Sequence, residues 1–257
     1  MSNSSSSQGR FIRAALVIFP AGTIVLGIAS FGFWWANKVK KEERSYKYAT
    51  ALRRDMTLAA VERYVGILRE VLRQPESERL PAVASFLDSS MSAENMGYAA
   101  RRDRFFHGPI EVSNVDVEIT GKQRPREVVL VLAPYGDAAR LEAEAHALAA
   151  LMSVAHAVTG EKRMRSLRLA GVPLGVKDPE GQSALERFAA GMRGREERVL
   201  QIVVLGGAPE PVLQEIRQAF RTAQTGAIVK ALPATENAAA TLGATQAMKT
   251  ALMGAIE

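Results

Sequence analysis

The chain contains no cysteine, which removes disulfides, thiolate metal sites and cysteine nucleophiles at once. Histidine is nearly as scarce: there are 3, at His107, His146 and His156, and none follows position 156. Aromatic residues make up only 6%. No Gly-x-Ser-x-Gly elbow or Ser/His/Asp arrangement is present, which excludes the usual serine hydrolase chemistry. The glycine pair at Gly206 and Gly207 lacks the Gly-Lys-Ser/Thr ending of a phosphate loop and reads as a turn before Pro209. Long single-sign charge runs are missing too. The 33 Lys and Arg are interleaved with 27 Asp and Glu, for a net charge of +6. That pattern describes a solvated mixed-charge surface and predicts no nucleic-acid partner. The cluster Lys162, Arg163, Arg165 and Arg168 is read in the same way, as loop solvation.

What is present suits one medium domain with an appendage: 257 residues, 47% of them hydrophobic. Residues 1–13 are expected to form a serine-rich, disordered tail. Residues 14–36 carry no charge; as a helix they would extend roughly 34 Å, enough for a hydrocarbon core of about 30 Å. Pro20, Gly22, Gly27 and Gly32 are tolerated in a spanning helix, and Trp34 and Trp35 fall at its far end, where indoles prefer the headgroup layer. No convincing small-x-small cleavage site precedes Trp34, so an uncleaved single-pass anchor in the lipid bilayer is expected. Arg10 and Arg13 precede the span and Lys38, Lys40, Lys41 and Arg44 follow it. Taken alone, that bias puts the larger part in the cytoplasm.

Residues 37–92 are expected to be a helical juxtamembrane segment, with one long helix over 42–73 carrying an apolar stripe and a second over 80–91. Beyond it, apolar alternation predicts a strand over 110–119, and the β-branched run 128–132 predicts a strand buried on both faces. Further strands are expected over 166–171, 199–205 and 227–232, alternating with helices over 140–158, 182–192, 209–224 and 235–256. This order implies an α/β fold over 93–257: a three-layer sandwich with a largely parallel central sheet, plus one N-terminal transmembrane helix.

Three pieces in order, Asn95 to Phe105, then Ser113 to Ile119 with Gly121, then the stretch VVLVLAPYGD at 128–137, resemble the family-28 zinc exopeptidases, the group that includes aminopeptidases and glutaminyl cyclases. The resemblance implies an aminopeptidase-like domain and, through the family, export. The domain is therefore expected on the periplasmic or extracellular side, against the charge bias. It also implies ligand and base positions for two zinc ions. In this sequence they fall on Pro134 and Gly136 after the 128–132 strand, near Ala143 at the next helix start, on Leu174 and Gly175, and on Gly206. The last family histidine has no counterpart. None of these residues donates a lone pair to a metal, so no cofactor is expected and the resemblance implies a pseudoenzyme that binds or scaffolds a protein partner. Two alternatives stand beside it. Glu142 and His146, four apart on one helix face, with Glu144 between them, would be the start of a relocated mononuclear metal site. Residues 42–73 would be a tethered helical assembly device. His156 is expected to favour its helix's C-terminal dipole.

Overall fold

The computed structural model describes residues 5–223, 228–235 and 237–256, with the side chains of 5–25, 42, 45, 222, 223 and 256 outside the description. Residues 1–47 and 48–257 are two compact units. The first is the bulk of helix α1 (Ser5–Leu52), which begins inside the segment expected to be a disordered tail. Extending a formed helix into a polar flank costs little once its nucleus exists. The expected span at 14–36 lies partly outside the described side chains. Among the described residues no helix is long and apolar enough to cross a membrane. Its described part is exposed and apolar, with Leu26 67%, Phe33 72%, Trp34 54% and Trp35 54% accessible.

The second unit opens with the last turn of α1. There Ala49 is fully buried, and a Cβ on Gly97 would stand 3.0 Å from it. Gly160 lets the chain pass Thr50, whose backbone N would lie 2.5 Å from a Cβ. The single helix expected over 42–73 is not formed. The chain breaks after Leu52 and restarts as α2 (Leu58–Leu72), with the Thr57 hydroxyl accepting from the Ala60 N–H as its cap. Arg53 Nε donates to the Thr159 carbonyl at 2.8 Å, so tertiary bonds hold the break open. A long, uninterrupted assembly helix is thereby excluded for this segment.

Helices α3 (Glu76–Ser90) and α4 (Ala93–Met96) lead into β1 (Ala100–His107), β2 (Ile110–Ile119) and β3 (Arg124–Tyr135). Then come α5 (Leu141–Ala157), β4 (Arg165–Pro173), α6 (Ala184–Gly194), β5 (Arg198–Val204), α7 (Glu210–Ala223), β6 (Ile228–Ala231) and α8 (Ala238–Ile256). The sheet order is β1-β2-β4-β3-β5-β6. Strands β4, β3, β5 and β6 are parallel, while β2 runs antiparallel to both β1 and β4. The sheet is therefore mixed but largely parallel, as expected, with four of its six strands running together. Helices α2, α3, α5 and α8 pack on one face, and α6 and α7 on the other. Residues Val128 to Ala133 are buried to 1% or less, as a strand covered on both sides requires.

Strands β4 and β5 flank β3 on opposite sides. The chain leaves β3 through α5 on one face and reaches β5 through α6 on the other. Order reverses beside β3, and open α/β sheets bind ligands in the crevice outside the strand ends at such a point.

Candidate functional site

That crevice is where the six residues expected from the sequence to stand at ligand positions gather. Pro134 is buried near the end of β3, two residues past the last β3–β5 pair, Leu132–Val204. Leu174 and Gly175 directly follow β4, Gly206 closely follows β5, and Ala143 is in the first turn of α5. A Cβ on Gly136 would be 3.6 Å from the Leu174 carbonyl oxygen, and one on Gly206 would be 3.3 Å from that of Ala143. Spacing along the sequence thus becomes proximity across three loops.

Two of the rim's glycines leave little space for a side chain, whereas a Cβ on Gly175 would meet nothing within 4 Å. Gly136 has φ +109°, and a Cβ there would meet Leu80 Cδ2 at 3.0 Å. Gly206 has φ +81°, and a Cβ would meet the Ala147 Cβ at 2.8 Å. Both backbones sit in the region that L side chains avoid. A carboxylate at either position would need backbone strain as well as displaced neighbours.

Several polar groups at the rim bond within the rim itself, while Arg79 Nε and His146 Nε2 are buried without a hydrogen-bond partner among the described residues. The buried Glu144 carboxylate accepts the N–H groups of Gly136 at 2.8 Å and Asp137 at 2.9 Å. Burial pushes its pKa up to about 7 even though those two bonds pull it down. Asp137 caps the following turn through the Ala139 N–H. Arg140 Nη2 donates to the carbonyls of Gly206 and, at 2.9 Å, Gly207, and Arg79 Nη2 reaches the Gly136 carbonyl at 3.0 Å. Tyr135 is buried, with its hydroxyl donating to the Ser113 carbonyl, and burial raises its pKa. None of these roles was read from the sequence. Each depends on loop closure, although the Arg and Glu flanking the turn were visible.

Glu142 and His146 take separate partners. Arg69 Nε donates to Glu142 at 2.7 Å on the surface. His146 is 2% exposed, with Nδ1 2.7 Å from the Thr241 hydroxyl of α8, and burial lowers its pKa. Among the described residues no three of His, Cys, Asp and Glu form a group able to hold a metal. His156 does not act through the helix dipole as expected. Burial holds it neutral, with a pKa of about 4, stacked 6.3 Å from Tyr64. His107 bonds the Lys177 backbone.

The basic cluster also departs from expectation. The Arg168 side chain is fully buried and meets Asp116, Glu118 and Glu197. Arg163 is buried beside Glu161, and Arg165 pairs with Glu127. The signal for the first group was the two-residue alternation of Asp116 and Glu118 on β2, which puts both on the sheet face of Arg168.

No protein-family profile matches the chain, and no curated protein sequence matches it. Solved structures do. The glutaminyl cyclase of Macrostomum lignano superposes with a TM-score of 0.54 at 15% identity, covering 81% of this chain and 93% of that one. The glutaminyl cyclase of Fimbriiglobus ruber gives 0.53 at 13%, covering 77% and 95%. A putative zinc-dependent exopeptidase from Bacteroides vulgatus gives 0.51 at 10%, covering 79% and 97%. At such identities the likeness is one of fold. Zinc is implied by those neighbours' fold, and the residues at this rim do not fit it: the expected positions hold proline, glycine, alanine and leucine. The chain has the fold of the zinc-dependent exopeptidases and glutaminyl cyclases.

Proposed function

We propose that this chain is a membrane-anchored, non-catalytic member of that fold, working by binding a protein partner rather than by turnover. The observation that carries the reading is the closed rim. All six expected ligand positions lack a donor side chain, a Cβ on Gly206 would stand 2.8 Å from that of Ala147, and one on Gly136 would crowd the tip of Leu80 at 3.0 Å. Replacement of one ligand would leave a variant metal centre, but loss of all of them removes the means of polarising a carbonyl or activating water. The loops at 133–138, 172–176 and 205–208 are the proposed contact surface.

Zinc analysis of the purified full chain, with aminopeptidase and glutaminyl cyclase assays, tests the non-catalytic reading. The expected result is no stoichiometric zinc and no turnover above buffer. About one tightly bound zinc per chain, lost on His146→Ala, would overturn it in favour of a relocated metal site.

The anchor rests on the uncharged stretch 14–36 and on the exposed apolar side chains described from Leu26 onward. The domain is proposed on the exported side from the fold likeness, against the four cations that follow the span. Protease protection in sealed vesicles decides between the two orientations.

A further inference from the structure

Helix α1 carries a graded stripe just after its apolar part. Phe31, Trp34, Lys38 and Lys41 follow one another at three- and four-residue steps, so they share one side of the helix. The Phe31 and Trp34 rings lie 5.9 Å apart, Trp35 is 6.1 Å from Phe31, and the Lys38 ammonium stands 5.4 Å over the Trp34 ring. Lys40 and Arg44 widen the cationic end of this stripe to an arc of about 160° at the helical repeat. Val39 and Glu43 fall on the opposite side, and Glu43 is taken by Lys47 at 3.1 Å, while position 42, four residues after Lys38, borders the stripe. Phe31, Trp34, Lys38, Lys40 and Lys41 are all exposed.

A mixed-charge soluble helix intersperses its signs to gain pairs along its length. Here the order along one face is apolar ring, indole, then ammonium groups. This matches the change from acyl chain to headgroup in a membrane surface, where indoles favour the interface and cations meet phosphate. We propose that this stripe is a binding surface for the phosphodiester headgroups of anionic phospholipids, with Trp34 and Trp35 setting its depth and Lys38, Lys40, Lys41 and Arg44 making the charge contact. The inference rests on the anchor reading above and adds a lipid preference to it.

Trp34 and Trp35 are the chain's 2 tryptophans, so indole fluorescence reports on this surface alone. The full chain is reconstituted into phosphatidylcholine vesicles containing equal mole fractions of brominated phosphatidylglycerol or, in the parallel arm, brominated phosphatidylcholine. The brominated anionic lipid is expected to associate with the indoles about fivefold more strongly, the ratio given by roughly one cation's worth of surface attraction. That preference should fall below about twofold in 0.5 M salt, and likewise in the quadruple variant K38Q/K40Q/K41Q/R44Q. Equal quenching in both arms overturns the headgroup inference and leaves the anchor reading standing. Indoles that neither shift to the blue nor respond to any brominated lipid overturn the anchor reading itself. Quenching that weakens as the protein-to-lipid ratio rises points to a second α1 on this face and also overturns the inference.

Discussion

Arginines at the strand-end crevice and on one face of the sheet do different work. At the crevice, Arg79 and Arg140 donate to backbone carbonyls of the turns that close it. On the sheet face, Arg168 lies fully buried among the carboxylates of Asp116, Glu118 and Glu197. The first arrangement consumes the polar capacity of loops that would otherwise be free for a ligand. The second holds full charges away from solvent, where they are stable only as a set. The crevice therefore closes with dipoles while the sheet face is held together by ions, and the two should respond differently to mutation and pH.

The largest effect is expected at the ionic face. Arg168→Met strips the buried Asp116 of its arginine and leaves Glu118 and Glu197 only the half-exposed Arg101 and Arg195, in a site where burial already raises the Asp116 pKa. A loss of about 3–5 kcal/mol is expected in urea unfolding. Arg140→Met removes bonds to carbonyls that part-solvated loops can rehydrate, so about 1–2 kcal/mol is expected. Equal losses for the two variants would erase the contrast between the crevice and the sheet face.

The next effect sets the two ends of α5 against each other. Glu144 at its start has a folded pKa of about 7, above the ordinary value. Its contribution is therefore complete below about pH 4.5 and is lost as pH rises toward 7. His156 at its end has a folded pKa of about 4, below its ordinary value of about 6.5. The unfolded chain takes up that proton first, so this contribution is complete above about pH 6.5 and is lost as pH falls toward 4. Each amounts to about 3 kcal/mol. Between pH 4.5 and 6.5 the two slopes oppose, and wild-type stability should be nearly flat there. In Glu144→Gln stability should climb with pH across that window, and in His156→Phe it should fall. Parallel slopes in both variants would show that other groups govern the pH response.

How much of this was legible in the sequence follows from the range of each interaction. Strand β2 was bounded at 110–119 because alternation is a local property, and β3 was located by its apolar run although it extends to both sides. The break between Leu52 and Leu58 was missed, since it is held by Arg53 bonding to Thr159 far along the chain; the apolar stripe alone favoured continuity. At the crevice, the residues at the expected ligand positions were readable one by one. Their surroundings were not, because the bonds from the Gly136 N–H to Glu144 and from Arg140 to the Gly206 carbonyl exist only once the turns have closed. Arg168 was misread as solvated because its partners lie on β2 and beyond α6.

Gly206→Ala probes how closely the crevice is shut. The backbone there has φ +81°, and a methyl group would sit 2.8 Å from the Ala147 Cβ. Strain and overpacking together predict a loss of about 1–3 kcal/mol, with faster amide exchange in the loop after β5. Wild-type stability in this variant would mean that the loop yields easily and that the crevice has more room than its contacts imply.

The smallest effect is expected at the edge of the crevice, at the Arg69–Glu142 pair. The two side chains are 39% and 60% exposed, and exposed ion pairs contribute little because water screens them and ordering two long side chains costs entropy. Glu142→Gln should therefore change stability by no more than about 0.5 kcal/mol, and the change should shrink further in salt. The same variant bears on the crevice's chemistry. If Glu142 were a metal ligand that leaves Arg69 on loading, zinc would raise the melting temperature of the wild type and not of the variant. The fixed surface pair described here predicts the same small response to zinc in both. A zinc-dependent difference between them would return metal chemistry to α5 and make the closed crevice one state of two.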